Sequence, residues 1–371
     1  MITRRGFARH LGGLATAGPF LGEGFLAQRA RGAVVHRTDA VWLDANENPE
    51  GPPPSAIEAI TRGAAATARY HFDEFGAFTE ALAHSEGLKP EQVIFGIGST
   101  DVIDAAICAF TSASHPMISV APTFEIPVQL ARSLGRKIVQ VPLAAPWSYP
   151  VKRLAEEAAQ AGGGLIYMCN PNNPTASLTP KADIAWLVTN LPPSTVLLID
   201  EAYIQFAEPS VVESAMAYVR EDRNVVVTRT FSKIYGMAGA RAGFACARPD
   251  LIRAMAQFKD NIIPILGLRA ATAALGDAAT LVPRRRANVA RIRGELCAWL
   301  RQKNLQYIEP HANFVMIDIG RDVRTFGAAM FEKGVAVGRP FPPLNGMLRV
   351  TIGTNAEMAR FREAFWQVYS A

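Results

Sequence analysis

Lys233 stands in the run T-R-T-F-S-K-I-Y-G-M-A-G-A-R-A-G over 228–243, among hydroxyls and small residues, with Arg241 eight positions on. The run follows the apolar stretch Val225-Val226-Val227. A lysine on a loop after a buried strand can hold an aldehyde covalently, and Thr230, Ser232 and Arg241 beside it can hold an anion. The same stretch taken alone also suits a solvated lysine before a glycine-rich helix start. Four other stretches carry chemistry of their own. Asp200-Glu201-Ala202-Tyr203 closes an apolar run, where carboxylates cost desolvation unless something pairs with them; a helix cap is the other use for Asp200. Gly98-Ser99-Thr100 follows Val93-Ile94-Phe95 and opens a helix, so free N–H groups and the helix dipole converge on a site for an anion. That turn lacks the Lys-Ser/Thr of a P-loop and the full glycine pattern of a dinucleotide site. Asn170-Pro171-Asn172-Asn173-Pro174-Thr175 is richer in Asn and Pro than a linker needs, and Phe124 follows another apolar run as core filler or as a ring facing a site.

The elements that must position these residues are legible as an alternation. Strands are predicted over 93–95, 117–120, 137–141, 164–169, 195–199 and 225–227, with helices over 102–110, 127–134, 151–160 and 184–189 between them. Alternation of this kind indicates an α/β fold, a largely parallel sheet with helices on both faces, and ligands bind such sheets beyond the carboxyl ends of the strands. Ser99, Thr100, Phe124, Asn173, Asp200 and Lys233 all fall at those ends. Before the sheet come an irregular arm, a helix from about Ser55 with an approximate capping box to Glu58, and a helix over 77–86. After it come a helical stretch over 251–275 interrupted at Pro264 and a long amphipathic helix over 284–303, whose arginines are expected on a solvated face. Strands over 314–317, 335–341 and 347–352, helices over 323–333 and 357–369, and no internal repeat complete a smaller α+β domain. The predicted division is 1–30 a signal, 31–54 an arm, 55–260 a large domain and 261–371 a small one.

The length of 371 residues allows a large core in two domains. Of the formal charge of +5, Arg4, Arg5, Arg9 and Arg29 against Glu23 place three in the first 30 residues. No basic stripe or recognisable module accompanies the rest, which argues against nucleic-acid binding. No apolar run reaches the length of a membrane span. Cys108, Cys169, Cys246 and Cys297 are widely spaced in apolar contexts, form no metal motif, and are expected as buried thiols. Thr3-Arg4-Arg5-Gly6-Phe7 before the mildly apolar 11–26 resembles a twin-arginine export signal ending near Ala30; the expectation is a periplasmic protein exported folded, or a cytoplasmic one if the signal does not operate.

In order along the chain stand A-N-E-N-P-E-G-P-P at 45–53, Arg69-Tyr70, G-S-T-D at 98–101, C-N-P-N-N-P-T at 169–175, D-E-A-Y at 200–203, T-F-S-K-I-Y-G-M-A-G-A-R at 230–241, A-N-F at 312–314 and L-R-V-T-I-G at 348–353. Together they resemble the fold-type I pyridoxal-phosphate aminotransferases, most of all the histidinol-phosphate branch, over about 41–369. The resemblance implies a homodimer with shared active sites, pyridoxal 5'-phosphate as cofactor, and transamination between an amino donor and a 2-oxo acid such as 2-oxoglutarate. It implies that Lys233 binds the cofactor covalently, Asp200 pairs with its ring nitrogen, and Asn173 and Tyr203 meet its phenolic oxygen. Phe124 would lie against the ring. Ser99, Thr100, Thr230, Ser232 and Arg241 would hold the phosphate, with Tyr70 reaching in from a partner subunit. Arg349 would bind the substrate carboxylate, with Asn46 and Asn313 nearby.

Two departures from the family pattern bear on the substrate. Ala176 replaces the usual glycine after N-P-T, and the segment that normally supplies an arginine for the substrate phosphate reads Gly338-Arg339-Pro340-Phe341-Pro342-Pro343. Arg339 is the candidate for that role, and Phe341 with its prolines builds a more apolar pocket or simply a rigid loop. The expected donor is histidinol phosphate or an aromatic or other L-amino acid. Export would sit poorly with histidine biosynthesis. A lyase or decarboxylase on the same fold is the competing enzyme class, against which Arg349 argues; a non-catalytic binding protein is disfavoured by the presence of Lys233, Asp200 and Arg241.

Overall fold

The computed structural model describes residues 37, 39–259 and 262–371. The segment read as an export signal lies outside the described residues. The arm contributes β1 (Val41–Leu43), and α1 (Pro54–Gly63) and α2 (Glu74–Glu86) follow. The chain then alternates through β2 (Val93–Ile97), α3 (Ser99–Phe110), β3 (Met117–Ala121), α4 (Ile126–Ser133), β4 (Ile138–Pro142) and α5 (Val151–Gln160). It continues with β5 (Gly164–Cys169), α6 (Lys181–Thr189), β6 (Thr195–Asp200), the short α7 (Met216–Arg220), β7 (Val225–Thr230) and β8 (Ala242–Cys246).

Among the described residues, β2 to β8 form one seven-stranded sheet in the order β2-β8-β7-β6-β5-β3-β4. β8 runs antiparallel to both of its neighbours, and the other pairings are parallel. β5 is buried at all six positions, so Gly-Leu-Ile-Tyr-Met-Cys has no polar alternation: helices cover both faces of a parallel sheet. The in-register row Cys169–Asp200–Thr228 crosses three central strands at their carboxyl ends.

Beyond the sheet come α8 (Pro249–Ala256), α9 (Ile265–Gly276) and the long α10 (Ala278–Gln302). β9 (Tyr307–Ile308), β10 (Phe314–Asp318), α11 (Val323–Glu332), β11 (Val335–Val337), β12 (Met347–Thr351) and α12 (Asn355–Tyr369) close the chain. β9, β10 and β12 make a small antiparallel sheet. β1 pairs in parallel with β11, Val41 opposite Val335, which ties the arm to the carboxyl-terminal part. Among the described residues no single helix is long and apolar enough to cross a membrane, and the four cysteines are free thiols, three buried and Cys108 partly so.

Three local expectations need correction. Ser55 does not cap α1; Pro53 occupies that position, and the Ser55 hydroxyl donates to Asp277 Oδ2 at 2.5 Å. The reciprocal capping box stands instead at Thr354 and Glu357, at the start of α12. The strand expected over 335–341 stops at Val337. Gly338 passes so close to the backbone of Arg349 that a Cβ there would lie 2.7 Å from its carbonyl oxygen, and the prolines beyond have no N–H to extend a ladder. The arginines of α10 are not all on a solvated face either: Arg285 and Arg293 are buried. Arg285 donates from Nη1 to Ile234 O at 2.9 Å and from Nη2 to Gly51 O at 2.6 Å, with Glu50 at 3.3 Å from its Nε. Arg293 donates to Ala312 O at 2.8 Å. Their apolar stems pack while the head of Arg285 bridges α10 to the arm and to the loop that carries Lys233, and the head of Arg293 reaches the segment before β10.

Candidate active site

The carboxyl ends of β2, β5, β6 and β7 open into a cavity of about 1140 Å³, which Ser99, Thr100, Phe124, Asn173, Asp200, Tyr203, Thr230, Ser232, Lys233, Arg241, Arg339 and Arg349 line. Three sequence candidates stand apart from that lining. Tyr70 is on the surface, 67% exposed, stacked on Phe72 with ring centroids 5.3 Å apart. Asn46 and Asn313 are buried beneath the floor. Asn46 has a left-handed φ of 55° and donates from Nδ2 to the Tyr203 hydroxyl at 3.1 Å; its backbone N–H donates to Thr351 Oγ1 at 2.9 Å. Asn313 Nδ2 donates to Asn46 O and Glu47 O, so in this structure both asparagines position the arm and Tyr203.

Lys233 Nζ donates to Ala45 O at 3.3 Å and lies 5.6 Å from the centre of the Tyr203 ring. Asp200 faces the cavity from the end of β6, and its neighbour Glu201 turns to the other side of the sheet. There Glu201 accepts from Arg229 Nη2 at 3.0 Å and from Ser214 Oγ at 2.8 Å, which satisfies the second carboxylate of the D-E-A-Y motif. Burial pushes the Asp200 carboxyl up to about 6. Thr228 Oγ1 and the Ala202 N–H donate to its Oδ1 at 3.2 Å each, the Tyr167 hydroxyl donates to Oδ2 at 3.3 Å, and with the Lys233 charge they oppose that rise. Thr228 and Tyr167 were not among the sequence candidates. Tyr167 is the one side chain with a hydroxyl in an otherwise apolar strand, and Thr228 is the first polar residue after three valines; those are the signals that could have found them.

The opposite end of the cavity is built for an anion. Ser99 and Thr100 form the first turn of α3, after Gly98 at φ +78°. Gly243 on β8 backs onto that turn: a Cβ there would lie 2.3 Å from the Ser99 nitrogen, so only glycine lets the two backbones meet. Arg241, itself in a left-handed conformation, donates from Nη1 to Ala238 O at 2.9 Å. Burial pulls the proton affinity of its guanidinium down, because desolvation disfavours the charged form. The Thr230 hydroxyl donates to Ser232 Oγ at 2.9 Å on the same rim. A lysine, a buried carboxylate and an anion cradle thus surround one space, fitted to a molecule with an aldehyde, a basic ring nitrogen and a phosphate.

The remaining wall carries Arg349 and Arg339. Arg349 is buried and held by Asn173 Oδ1 and Asp44 O, both at 2.7 Å. That contact occupies Asn173 Oδ1 and makes Nδ2 the end that can donate to a phenolic oxygen. The buried Phe341 ring packs on both arginines, 4.5 Å from Arg349 Cζ and 4.3 Å from Arg339 Cζ. Arg339 Nη2 also donates to Glu125 Oε1 at 2.5 Å, a contact the sequence reading did not contain.

Known proteins are similar to this chain along most of its length. The histidinol-phosphate aminotransferase of Symbiobacterium thermophilum is 35% identical over 329 residues, 88% of this chain and 90% of that protein. That of Moorella thermoacetica is 32% identical over 334 residues, 89% of this chain and 86% of that one. The crystal structure of histidinol-phosphate aminotransferase from Sinorhizobium meliloti, in complex with pyridoxal-5'-phosphate, is similar with a TM-score of 0.84 at 27% identity, over 95% of this chain and 96% of that chain. Residues 38–365 match the family described as aminotransferase class I and II, and with the lysine, carboxylate and anion cradle all in place, the chain belongs to that family.

Proposed function

We propose that the protein is a pyridoxal-phosphate-dependent aminotransferase whose amino donor combines a flat ring with an anionic end, histidinol phosphate or an aromatic L-amino acid, and whose acceptor is a 2-oxo acid such as 2-oxoglutarate. The observation that carries the donor assignment is a cavity lining that holds both Arg339 and Arg349 together with the aromatic rings of Trp42 and Phe331. A ring packs against those lining aromatics, and a carboxylate or phosphate meets a guanidinium whose planar fork fits either group.

The residues fit the cofactor that the Sinorhizobium meliloti protein holds. Lys233 would bind its aldehyde, Asp200 its ring nitrogen, and Asn173 and Tyr203 its phenolic oxygen, with Phe124 against the ring. Ser99, Thr100, Thr230, Ser232 and Arg241 would hold the phosphate. When bound, the cofactor supplies an electron sink for the pair of electrons left on the substrate's Cα. The chain's own work is positional and protonic. Asp200 as carboxylate keeps a ring nitrogen protonated, and its three donors keep that carboxylate oriented. With the cofactor bound, the free Lys233 amine would be the base that takes the proton from the substrate's Cα and delivers it to the cofactor's aldehyde carbon, on the other side of the amino nitrogen. Arg349, braced by Asn173 and Asp44 O, fixes the substrate so that its Cα–H bond faces Lys233.

Single-turnover titration of the cofactor-loaded enzyme tests this reading. Histidinol phosphate or an aromatic L-amino acid should discharge the visible absorbance of the Lys233-bound cofactor at least about tenfold faster than L-alanine, which has no ring to set on that lining. Equal rates for L-alanine and the ring-bearing donors would sink the donor assignment. Loss of the borohydride-fixable absorbance in Lys233→Ala is the accompanying check on the lysine.

A further inference from the structure

We infer that Glu125 is a specificity-determining residue: by pairing with Arg339 it biases the donor site towards substrates whose anionic end carries a single charge, carboxylates rather than phosphates. The inference rests on the donor reading above and narrows it.

Glu125 follows Phe124 in the turn between β3 and α4, so it stands beside the ring that lines the cavity. Its Oε1 accepts from Arg339 Nη2 at 2.5 Å, and Arg339 Nη1 donates to Pro340 O at 3.0 Å. Both terminal nitrogens of Arg339 therefore have a partner within the protein, one of them a full negative charge. Arg349 is held differently: Asn173 Oδ1 and Asp44 O orient it, and both are neutral acceptors. The two guanidinia touch the same Phe341 ring, and Arg339 already has a carboxylate on its fork. A carboxylate substrate that settles on Arg349 leaves the Glu125–Arg339 pair intact. A phosphate, with more negative charge and three acceptor oxygens, draws on both guanidinia, and it meets repulsion from Glu125 as it does so. Rejection by a placed like charge is a standard route to selectivity. The side chains of the pair are 20% and 33% exposed, so the bias is moderate rather than absolute.

The test is equilibrium binding, by calorimetry, of two ligands that lack an amine and so cannot react: phenyl phosphate and 3-phenylpropionate. The protein is the cofactor-loaded full chain as wild type, Glu125→Gln and Glu125→Ser, the serine variant being included because glutamine can still accept from Arg339. Both variants are expected to bind phenyl phosphate about three- to tenfold more tightly, with 3-phenylpropionate within about twofold of wild type. Adding Arg339→Gln to Glu125→Gln should cancel the gain. The ratio of the donors' kcat/KM, histidinol phosphate over L-phenylalanine, should rise in the same variants. The inference is overturned if both ligands change by the same factor, or if neither changes, while binding to wild type is measurable. If neither ligand binds the wild type or the variants, the ring-and-anion reading of the donor fails and this inference falls with it.

Discussion

Asp200 shows most clearly how single residues are tuned. A buried carboxyl at about 6, against an ordinary 3.8, means that the folded, cofactor-free protein holds this proton more tightly than the unfolded chain does. The sign follows from linkage: the associated stability is fully present below pH 3.8 and is lost as pH rises through 6. Asp200→Asn, which cannot ionise, should therefore make the cofactor-free protein more stable at pH 8 than the wild type, by up to about 3 kcal/mol, with a smaller gain at pH 5. Denaturant unfolding at the two pH values checks this, and a difference independent of pH would contradict it. The chemistry was legible at this scale because Lys233, Asp200 and Arg241 are charged residues in apolar or glycine-rich company. Thr228 and Tyr167 were not legible as partners of Asp200, because their contact depends on which strands neighbour β6.

At the scale of elements, α10 and the glycine contact between β8 and α3 set the geometry. Amphipathic spacing predicted a long helix over 284–303, which in the structure begins six residues earlier at Ala278, but assigned all its arginines to water, since an arginine's stem is apolar and its head charged whichever way it faces. The structure uses Arg285 as a clamp between Gly51 in the arm and Ile234, the residue after Lys233. Removing it strands two buried carbonyl oxygens and part of the pairing of Glu50. Arg285→Leu should cost about 3 kcal/mol in denaturant unfolding and loosen retention of the cofactor. Arg291→Leu, on the exposed side of the same helix, is expected within about 0.5 kcal/mol of wild type. Equal losses from the two substitutions would remove the clamp from the account.

For the whole molecule, the surface around Tyr70 matters most. Tyr70 and Phe72 are 67% and 59% exposed and stacked on each other, a pair of rings that the described residues leave open. We propose that a second copy covers them and receives Tyr70 in its phosphate cradle, which makes the protein a homodimer. Sedimentation of the loaded enzyme should give twice the chain mass. Tyr70→Ala should leave the unfolding of the isolated chain within about 0.5 kcal/mol of wild type, yet weaken cofactor retention about tenfold. A monomer with unchanged retention would exclude this arrangement.

The sequence by itself determined the α/β alternation, the loops that end the strands and the chemical types gathered there, because all of these are carried by local periodicity and by residues out of keeping with their neighbours. It also carried the family resemblance, through short motifs kept in order. The tertiary structure alone decided that Asp200 faces the cavity with donors from two adjacent strands, that Arg285 is a buried clamp, and that Arg339 is paired with Glu125. Each is a contact between residues far apart in the chain, with separations of 28 to 234 positions. Strand order, register and helix rotation bring such residues together, and a local pattern does not encode which distant carbonyl or carboxylate a charged side chain will meet.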